Sequence, residues 1–499
     1  MTCADDTESP AVMEHLLSHG ETRPDAEALI IGDATLSWGA LRAQVLGVAG
    51  ALDRAFPNGE RIALLGDVTP ELVTAYLGIV ASGRCAVPLQ TSAHPDAQAG
   101  MLADCDAAGL LADPEHTARL GDRLPAALPV HDLKDLALGA PGVIRTPPPE
   151  AAFNIIYSSG TTGHPKGIVQ SHLMRHRQSS RSAFGLSPGS TLLLATPLYS
   201  NTTLMPMLAT LYHGGRVVMM RKFDAGGYLD LAEQTHATHT MLVPVQYQRI
   251  LAHESFAHRD LSSFQLKQST GAPLPRADKL RIARDWPGRF FEVYGLTEGG
   301  CTCILDVGAY PDKAHTVGRP AERNDVRIID ENGQDVAAGE RGEIVGRSPM
   351  MMTGYFRKPE ITQDFLWQDR DGTVYHRTGD IGVFDEDGFL RLVDRKKDVI
   401  ISGGFNIYAS DLEEKLLAHP EVTEASVIAV PSDKWGETPL GFVVLEKGAS
   451  GETILEWANE RLGKMQRLSG IEVLDALPRN AVGKVLKQEL KARYATGSA

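Results

Sequence analysis

The apolar and polar positions of the first 270 residues fall into two alternating periods. LSWGALRAQVLGVAGALDRAF spaces its apolar residues as one helix face does, entered from a short strand, and RIALLGD and CAVPLQ are the short apolar runs of buried strands. Between those runs a helix is predicted from Pro70. The order recurs with NIIYSS, TLLLATP, RVVMM, HTMLVP and LKQSTGA, each followed by a loop and a helical stretch. Such alternation predicts parallel sheets covered by helices, and no fixed-period repeat accompanies it. From about residue 300 the pattern changes to short strands, DVRIIDENGQDV, GEIVGRS and GVFDEDGFLRLVD, with turns at Glu331-Asn332-Gly333 and Glu386-Asp387-Gly388. That section is expected to be antiparallel and barrel-like. After Asp394 come a charged RKKD segment, the pair Gly403 and Gly404, a helix opened by Ser410 with Glu413 as a capping box, and two apolar strands, SVIAVP and LGFVVLE. A second helix starts near Thr453, so residues 398–499 are expected to form a small α+β domain behind a short hinge.

Length and composition narrow the function. A chain of 499 residues exceeds what one hydrophobic core supports, so two or more domains are expected. Acidic residues outnumber basic ones 63 to 49, a formal charge of -14 that repels phosphate backbones and anionic lipid surfaces. Nucleic acid is excluded as a partner on that ground. No apolar run approaches membrane-spanning length, MTCADDTESP does not read as a secretory signal, and TGSA is not an address tag, so no stable membrane insertion and a cytoplasmic location are expected. Five scattered cysteines (Cys3, Cys85, Cys105, Cys301, Cys303) fit a reducing compartment, and the Cys301-x-Cys303 pair reads as structural or pocket-lining thiols rather than a metal site.

The segment YSSGTTGHPKG, residues 157–167, concentrates small and hydroxyl residues behind the apolar strand FNII, with a helical segment expected from near Ser171. Small residues let backbone N–H groups converge, while Ser158, Ser159, Thr161 and Thr162 add donors and Lys166 adds a positive charge, an arrangement that suits phosphate oxygens. It is not a Walker A loop, because Pro165 precedes Lys166. Composition alone leaves a flexible surface loop as an equal reading.

The exact order of residues resembles the phosphate-binding signature of the adenylate-forming superfamily, which contains acyl- and aryl-CoA ligases and stand-alone adenylation domains. Six signatures of that family occur in order between residues 157 and 484: the loop, GAPLP (271–275), YGLTE (294–298), YHRTGD (375–380), DRKKDVIISGGFNIY (394–408) and PRNAVGK (478–484). The resemblance implies an α/β fold, with a large N-terminal domain (1–394) of two helix-covered sheets plus a distorted β-barrel, and a small mobile α+β C-terminal domain (398–499) turning on a hinge at 395–397. It implies ATP, Mg2+ and coenzyme A, with an acyl carrier protein as the alternative thiol, a small carboxylic acid as substrate, and a monomer or homodimer.

Residue by residue, the resemblance places the triphosphate on Ser158, Ser159, Gly160, Thr161, Thr162, Gly163 and Lys166, with Lys166 towards the pyrophosphate. Magnesium falls to Glu298 with Thr161, and Thr297 reaches the α-phosphate. Tyr294 lies on the adenine, and Gly271, Ala272 and Pro273 run along it. Asp380 can accept from both ribose hydroxyls, although a solvated loop acid is the plainer reading of that carboxylate by itself. Arg395 contacts the ribose, Lys397 is the hinge residue, and Gly403 and Gly404 line a pantetheine path. Without the resemblance, Arg395, Lys396 and Lys397 would read as a solvated basic run. Lys484 is assigned to adenylation, drawing a carboxylate and the α-phosphate together. In PLYSNTT (197–203) Ser200 stands where many relatives carry histidine, so an acyl pocket opened and made polar by Tyr199, Ser200 and Asn201 is expected, completed by Tyr247, Val293, Gly295, Gly300 and Cys301. Such a pocket admits an aryl acid with a polar substituent or a medium-length fatty acid.

Overall fold

Ser37 starts the first long helix, Trp38–Ala55, by accepting the Ala40 amide on its Oγ at 3.2 Å. Thr69 does the same for Pro70–Ala81, taking the Leu72 amide at 3.2 Å, with proline in the first turn where its missing N–H leaves no bond unmade. The structure is a computed structural model describing residues 11–136, 140–158, 166–181, 184–446, 448–464, 466–479, 483 and 485–495. It divides into two compact units. The first comprises Met1–Ala314, Ala321–Asn324 and Arg347–His376, the second His315–Pro320, Asp325–Gly346 and Arg377–Ala499.

The first unit holds two sheets. One runs in spatial order Thr302–Asp306, Arg289–Gly295, Leu266–Ser269, His239–Leu242, Thr191–Leu194, Arg216–Met219, Glu27–Ile31, Ala34–Ser37, parallel except at its two ends. The other runs Gly354–Tyr355, Lys166–Ser171, Ala152–Ser158, Cys85–Pro88, Arg61–Leu65, Gly109–Ala112, Val130–Asp132. Its first three strands are antiparallel neighbours, and the rest pair in parallel. Residues from both sheets and from helices Val12–Thr22, Trp38–Ala55, Pro70–Ala81 and Asn201–Tyr212 form one continuous core. Pro70–Ala81 is buried on every side, which explains why its apolar residues show little facial bias.

The second unit carries Asp325–Ile329, residues 342–346, residues 377–384 and Leu390–Arg395, the last two antiparallel. It continues into a sheet ordered Phe405–Ile407, Ile400–Ser402, Gly436–Leu445, Val422–Ser432, with Ile471–Val473 beside Gly436–Leu445. Side-chain alternation splits this sheet between two cores: Val427 and Val443 face helices Ala409–Leu417 and Gly451–Glu460, while Ile428 and Phe442 face Lys487–Ala495. The α/β architecture with a large sheet-and-helix part and a smaller C-terminal part is thus present as expected.

One local expectation differs, and two expected turns gain an explanation. Ser410 and Glu413 form no capping box. Tyr408 is the N-cap and has no side-chain cap bond, the Ser410 hydroxyl donates to the Val393 carbonyl, and Glu413 accepts the Val427 amide at 2.8 Å. Both side chains found tertiary partners that compete with the local motif. The turns near Gly333 and Gly388 are organised by the aspartate three residues earlier. Asp330 Oδ1 takes the amides of Asn332 and Gln334, Asp385 Oδ1 those of Asp387 and Phe389, and each glycine has φ above +70°. Asp369 builds a third copy, ending at Gly372.

The strand that leads to Tyr294 is anchored from below. Trp286 is met edge-on by the rings of Tyr228, Tyr247, Phe256 and Phe264 at 5.2 to 6.1 Å. The ammonium of Lys267, fully buried, donates to the carbonyls of Trp286 (2.9 Å), Pro287 (2.5 Å) and Gly288 (2.8 Å), three donors for three acceptors. Lys267→Met keeps the stem and orphans those carbonyls, so denaturant unfolding should show a loss of about 3 kcal/mol. An unchanged midpoint would mean that the ammonium contributes nothing net.

Candidate active site

The glycine loop closes an antiparallel hairpin. Ala152–Ser158 pairs with Lys166–Ser171 in the register Ser158↔Lys166, Tyr157↔Gly167, Ile156↔Ile168. The helix does start where expected, as His172–Ser179 capped by Ser171 on the Met174 amide at 3.2 Å, but a whole strand separates it from the loop. The loop is therefore a strand-to-strand turn rather than a helix N-terminus. Ser159, Gly160, Thr161, Thr162 and Gly163 lie outside the described residues, as does the side chain of Ser158. Lys166, at the loop's far end, holds its ammonium 5.4 Å from the centre of the Tyr355 ring.

Tyr355 joins that lysine to Glu298. Its hydroxyl donates to Glu298 Oε1 at 2.8 Å, and burial, with the carboxylate beside it, pushes the phenol far up, so it remains a donor. The Thr297-Glu298 turn is otherwise fixed through its backbone. Met352 N donates to the Glu298 carbonyl (2.8 Å), Gly300 N to Met350 (3.1 Å) and Gly299 N to Leu296 (3.0 Å). Gly299 has φ +71°, and a Cβ there would stand 1.8 Å from the Met350 carbonyl oxygen, so no other residue fits. His376 Nδ1 donates to the Gly299 carbonyl at 3.2 Å, and burial lowers its pKa to about 4, leaving a neutral ring protonated on Nδ1. Tyr355 and His376 were not singled out in the sequence. Tyr355 lies in a two-residue strand and His376 near the start of Val374–Phe384, and an isolated aromatic or imidazole in a strand carries no signal of its target.

Tyr294 is mostly buried at the end of Arg289–Gly295, and Gly271, Ala272 and Pro273 form a largely exposed turn after Leu266–Ser269, with Gly271 at φ +90°. Val293 and Gly295 pair with Ile304 and Thr302. Gly300 is buried at φ +88°, and Cys301 is fully buried; neither Cys301 nor Cys303 forms a disulfide. No group of three or more His, Cys, Asp or Glu among the described residues is placed to hold a metal ion.

Two pocket residues stand differently from expectation. Tyr247 is completely enclosed, its hydroxyl donating to the Gln268 carbonyl at 2.9 Å and its ring against Trp286 and Phe290. It belongs to the aromatic core rather than to a pocket wall, because a buried phenol takes the nearest carbonyl. Ser200 is half-buried as N-cap of Asn201–Tyr212, its Oγ accepting the Thr202 amide at 3.3 Å, so the hydroxyl is engaged in starting that helix. Beside it the Tyr199 hydroxyl meets Ser92 Oγ at 3.1 Å, and Asn201 Oδ1 is buried without a hydrogen-bond partner among the described residues.

In the second unit Asp380, 6% exposed, is paired with Arg395 across the strand register, Oδ1 to Nε 2.7 Å. Its amide is taken by Thr378 Oγ1 at 3.0 Å. Lys396 reaches Glu343 Oε2 at 2.8 Å, where Arg377 also bonds. Burial alone would raise the Glu343 pKa, but those two cations hold it low. Arg395 and Lys396 are thus ion-paired rather than a solvated run. Lys397 has its pKa lowered by burial and then by the charges of Arg395, Lys491 and Lys487, against the pull of Asp398. Gly403 and Gly404, at φ +56° and +83°, turn the hairpin between Ile400–Ser402 and Phe405–Ile407, and a Cβ on Gly404 would meet nothing within 4 Å. Lys484 lies outside the described residues. Its segment is closed by an Arg479↔Val485 bridge and by Arg479 Nη1 donating to the Gly483 carbonyl at 2.8 Å.

The chain matches the family described as AMP-binding enzyme over residues 16–356 and the AMP-binding enzyme C-terminal domain over residues 411–484. It is 34% identical over 484 residues to a feruloyl-CoA synthase of Amycolatopsis sp, covering 94% of this chain and 96% of that protein. To a 2-succinylbenzoate–CoA ligase of Bacillus licheniformis it is 30% identical over 493 residues, covering 96% and 100%. The structure of ATP-bound MatB from Rhodopseudomonas palustris resembles it with a TM-score of 0.88 at 27% identity, over 98% of this chain and 99% of that one. The chain belongs to the AMP-binding enzymes, the adenylate-forming superfamily.

Proposed function

We propose that this enzyme is an ATP-dependent carboxylate–CoA ligase that makes an acyl-AMP and then an acyl or aryl thioester of CoA. The observation that carries the reading is that relatives aligned along 94% of the chain or more, through both units, are acid–CoA ligases. In the first step a carboxylate oxygen attacks the α-phosphorus of ATP, the bond to the bridging oxygen breaks, and pyrophosphate leaves. The hairpin turn at 157–167 receives the triphosphate, Lys166 steadies the leaving pyrophosphate, and Thr297 faces the α-phosphate. Glu298, a hard oxygen donor held by Tyr355, and Thr161 would ligate Mg2+, which supplies charge neutralisation on the phosphates. Tyr294 and residues 271–273 receive the adenine, and Asp380 with Arg395 the ribose. Lys484 brings the two anions together.

In the second step a thiolate attacks the acyl carbon, the bond to AMP breaks, and AMP departs with the electron pair. The domain 398–499 turns against 1–394 about residues 395–397, replacing Lys484 by the open turn at Gly403 and Gly404, along which pantetheine passes. Lys434 stacks on Trp435, whose carbonyl accepts the Gly403 amide at 2.8 Å, so a cation stands beside that path, in keeping with a phosphate-bearing free CoA. An acyl carrier protein is the alternative acceptor, and exposed Ile401 and Phe405 on the same hairpin are what favours it. The enzyme works in the cytoplasm as a monomer or homodimer. An aryl acid carrying a hydrogen-bond donor fits best, because the buried Asn201 Oδ1 lacks a partner among the described residues.

The test is ATP–pyrophosphate exchange over a panel of aryl and fatty acids, then mass analysis of products with CoA. Exchange with hydroxylated aryl acids and the mass of their CoA thioesters are expected, and absence of exchange with every acid would refute the assignment. Lys484→Ala should lower exchange by about 100-fold or more, while conversion of supplied acyl-AMP with CoA stays within a few-fold of wild type. Gly404→Val, which adds a branched side chain at φ +83°, should give the opposite split, and an equal loss in both assays for either variant would contradict the two-step assignment.

A further inference from the structure

Behind the glycine hairpin runs a chain of polar side chains that the reaction above leaves without a task. Arg175, Asn154, Gln170 and Tyr76 are each fully buried. Arg175 Nε donates to Asn154 Oδ1 at 2.8 Å, and Tyr76 OH donates to the same oxygen at 3.3 Å. Asn154 Nδ2 donates to Gln170 Oε1 at 3.0 Å, and Gln170 Nε2 donates to the Thr297 carbonyl at 2.8 Å. Asn154 and Gln170 face each other across the strand pair that carries the loop.

The chemistry of the two ends fixes every link. A guanidinium only donates, and a backbone carbonyl only accepts. The carbonyl therefore requires the amide nitrogen of Gln170, which turns Oε1 towards Asn154, which must donate, which turns Oδ1 towards the arginine. Neither amide can flip without setting two acceptors or two donors face to face. Arg175 Nη1 goes on to Gln178 Oε1 at 3.0 Å, and Nη2 is buried without a partner among the described residues. A buried guanidinium costs several kcal/mol in desolvation, and apolar side chains of like volume would fill this space without that cost, so stability alone does not account for the chain. What the chain does achieve is orientation. A peptide is planar and trans, so holding the Thr297 carbonyl also fixes the plane of the Thr297-Glu298 peptide and aims the Glu298 N–H away from the relay.

We propose that Arg175, Asn154 and Gln170 are positioning residues for adenylation: they lock the Thr297-Glu298 peptide in register with the two strands that deliver the triphosphate loop. The inference rests on the adenylation reading above. None of the three touches substrate, and their effect passes through the Thr297 carbonyl to the groups placed at the α-phosphate and the metal.

The experiment compares wild type with Gln170→Met and Gln170→Glu in ATP–pyrophosphate exchange, in Mg2+ dependence of that exchange, and in conversion of supplied acyl-AMP with CoA. Gln170→Met removes the donor at similar volume, and Gln170→Glu sets an acceptor against the carbonyl. Both should lower exchange kcat about 10-fold and raise the Mg2+ concentration for half-maximal exchange, with thioester formation from supplied acyl-AMP within twofold of wild type per folded molecule. Should either variant fail to fold, Arg175→Met in the same assays is expected to show the same split at smaller size. Wild-type exchange in the folded variants, or equal loss in both half-reactions, would overturn the relay as a positioning device. Wild type inactive in exchange with every acid would instead overturn the adenylation reading itself.

Discussion

A carbonyl oxygen 1.8 Å from where a Cβ at Gly299 would stand sets how the rest of the first unit is arranged. The close approach of residues 299 and 350 allows the Thr297-Glu298 turn to be held by the chain Met350–Met352 through backbone bonds alone. Backbone bonds of this kind lose no rotamer entropy and do not depend on side-chain charge, so the turn keeps its shape whatever binds beside it. Side chains then refine it from three directions: Tyr355 at the Glu298 carboxylate, His376 at the Gly299 carbonyl, Gln170 at the Thr297 carbonyl. Each comes from a different strand, and their convergence explains why Gly354–Tyr355, only two residues long, belongs to the sheet that carries the glycine hairpin.

Arg61–Leu65, Cys85–Pro88, Ala152–Ser158, Thr191–Leu194, Arg216–Met219, His239–Leu242 and Leu266–Ser269 were legible in the sequence because buried strands are continuous apolar runs, whereas Gly109–Ala112 and Arg289–Gly295 were not picked out. Helix starts were legible at Trp38 and Pro70 for a local reason, a hydroxyl cap followed by helix formers. The strand Lys166–Ser171 was not. It reads KGIVQS, where a lysine, a glycine and a glutamine interrupt the apolar pattern. Gln170 is polar because it is bonded inside the protein, and that fact belongs to tertiary structure. The false capping box at Ser410 fails for the same reason, since a serine and a glutamate at the right spacing were claimed by Val393 and Val427.

The site residues divide in the same way. Gly271, Gly300, Gly403 and Gly404 all have positive φ, a backbone demand that glycine alone meets easily, whereas Gly295 has none. Tyr247 could not be placed, because an aromatic beside a helix start serves a core or a pocket equally well in sequence. Its surroundings, Trp286 and Phe290, come from segments 39 and 43 residues further on. Asp380 could be picked out only through its motif, whereas its partner Arg395 is 15 residues away across a strand register that the sequence does not show.

In the second unit, the C-terminal sheet is held together in one way and attached to the strands between residues 325 and 395 in another. The C-terminal sheet is itself bound by two apolar cores of seven and eleven buried residues. Its attachment to the strands between residues 325 and 395 is of another kind: Arg341 with Asp411 at 2.8 Å and over the Tyr408 ring, Asn406 with Glu331 at 3.1 Å, the Ser410 amide with Asp394 at 3.2 Å, and Lys396 with Glu343. The apolar part of that contact is small, Ile381, Val383 and Val393 with Val399 and Tyr408. Partly exposed ion pairs contribute about 0–1 kcal/mol each, since water takes up either partner at nearly the same free energy. Lys396 is half exposed, and when it leaves, Glu343 keeps Arg377 and remains neutralised. An attachment made of exchangeable polar pairs costs little to break, whereas an apolar seam of the size that holds the sheet together would cost far more.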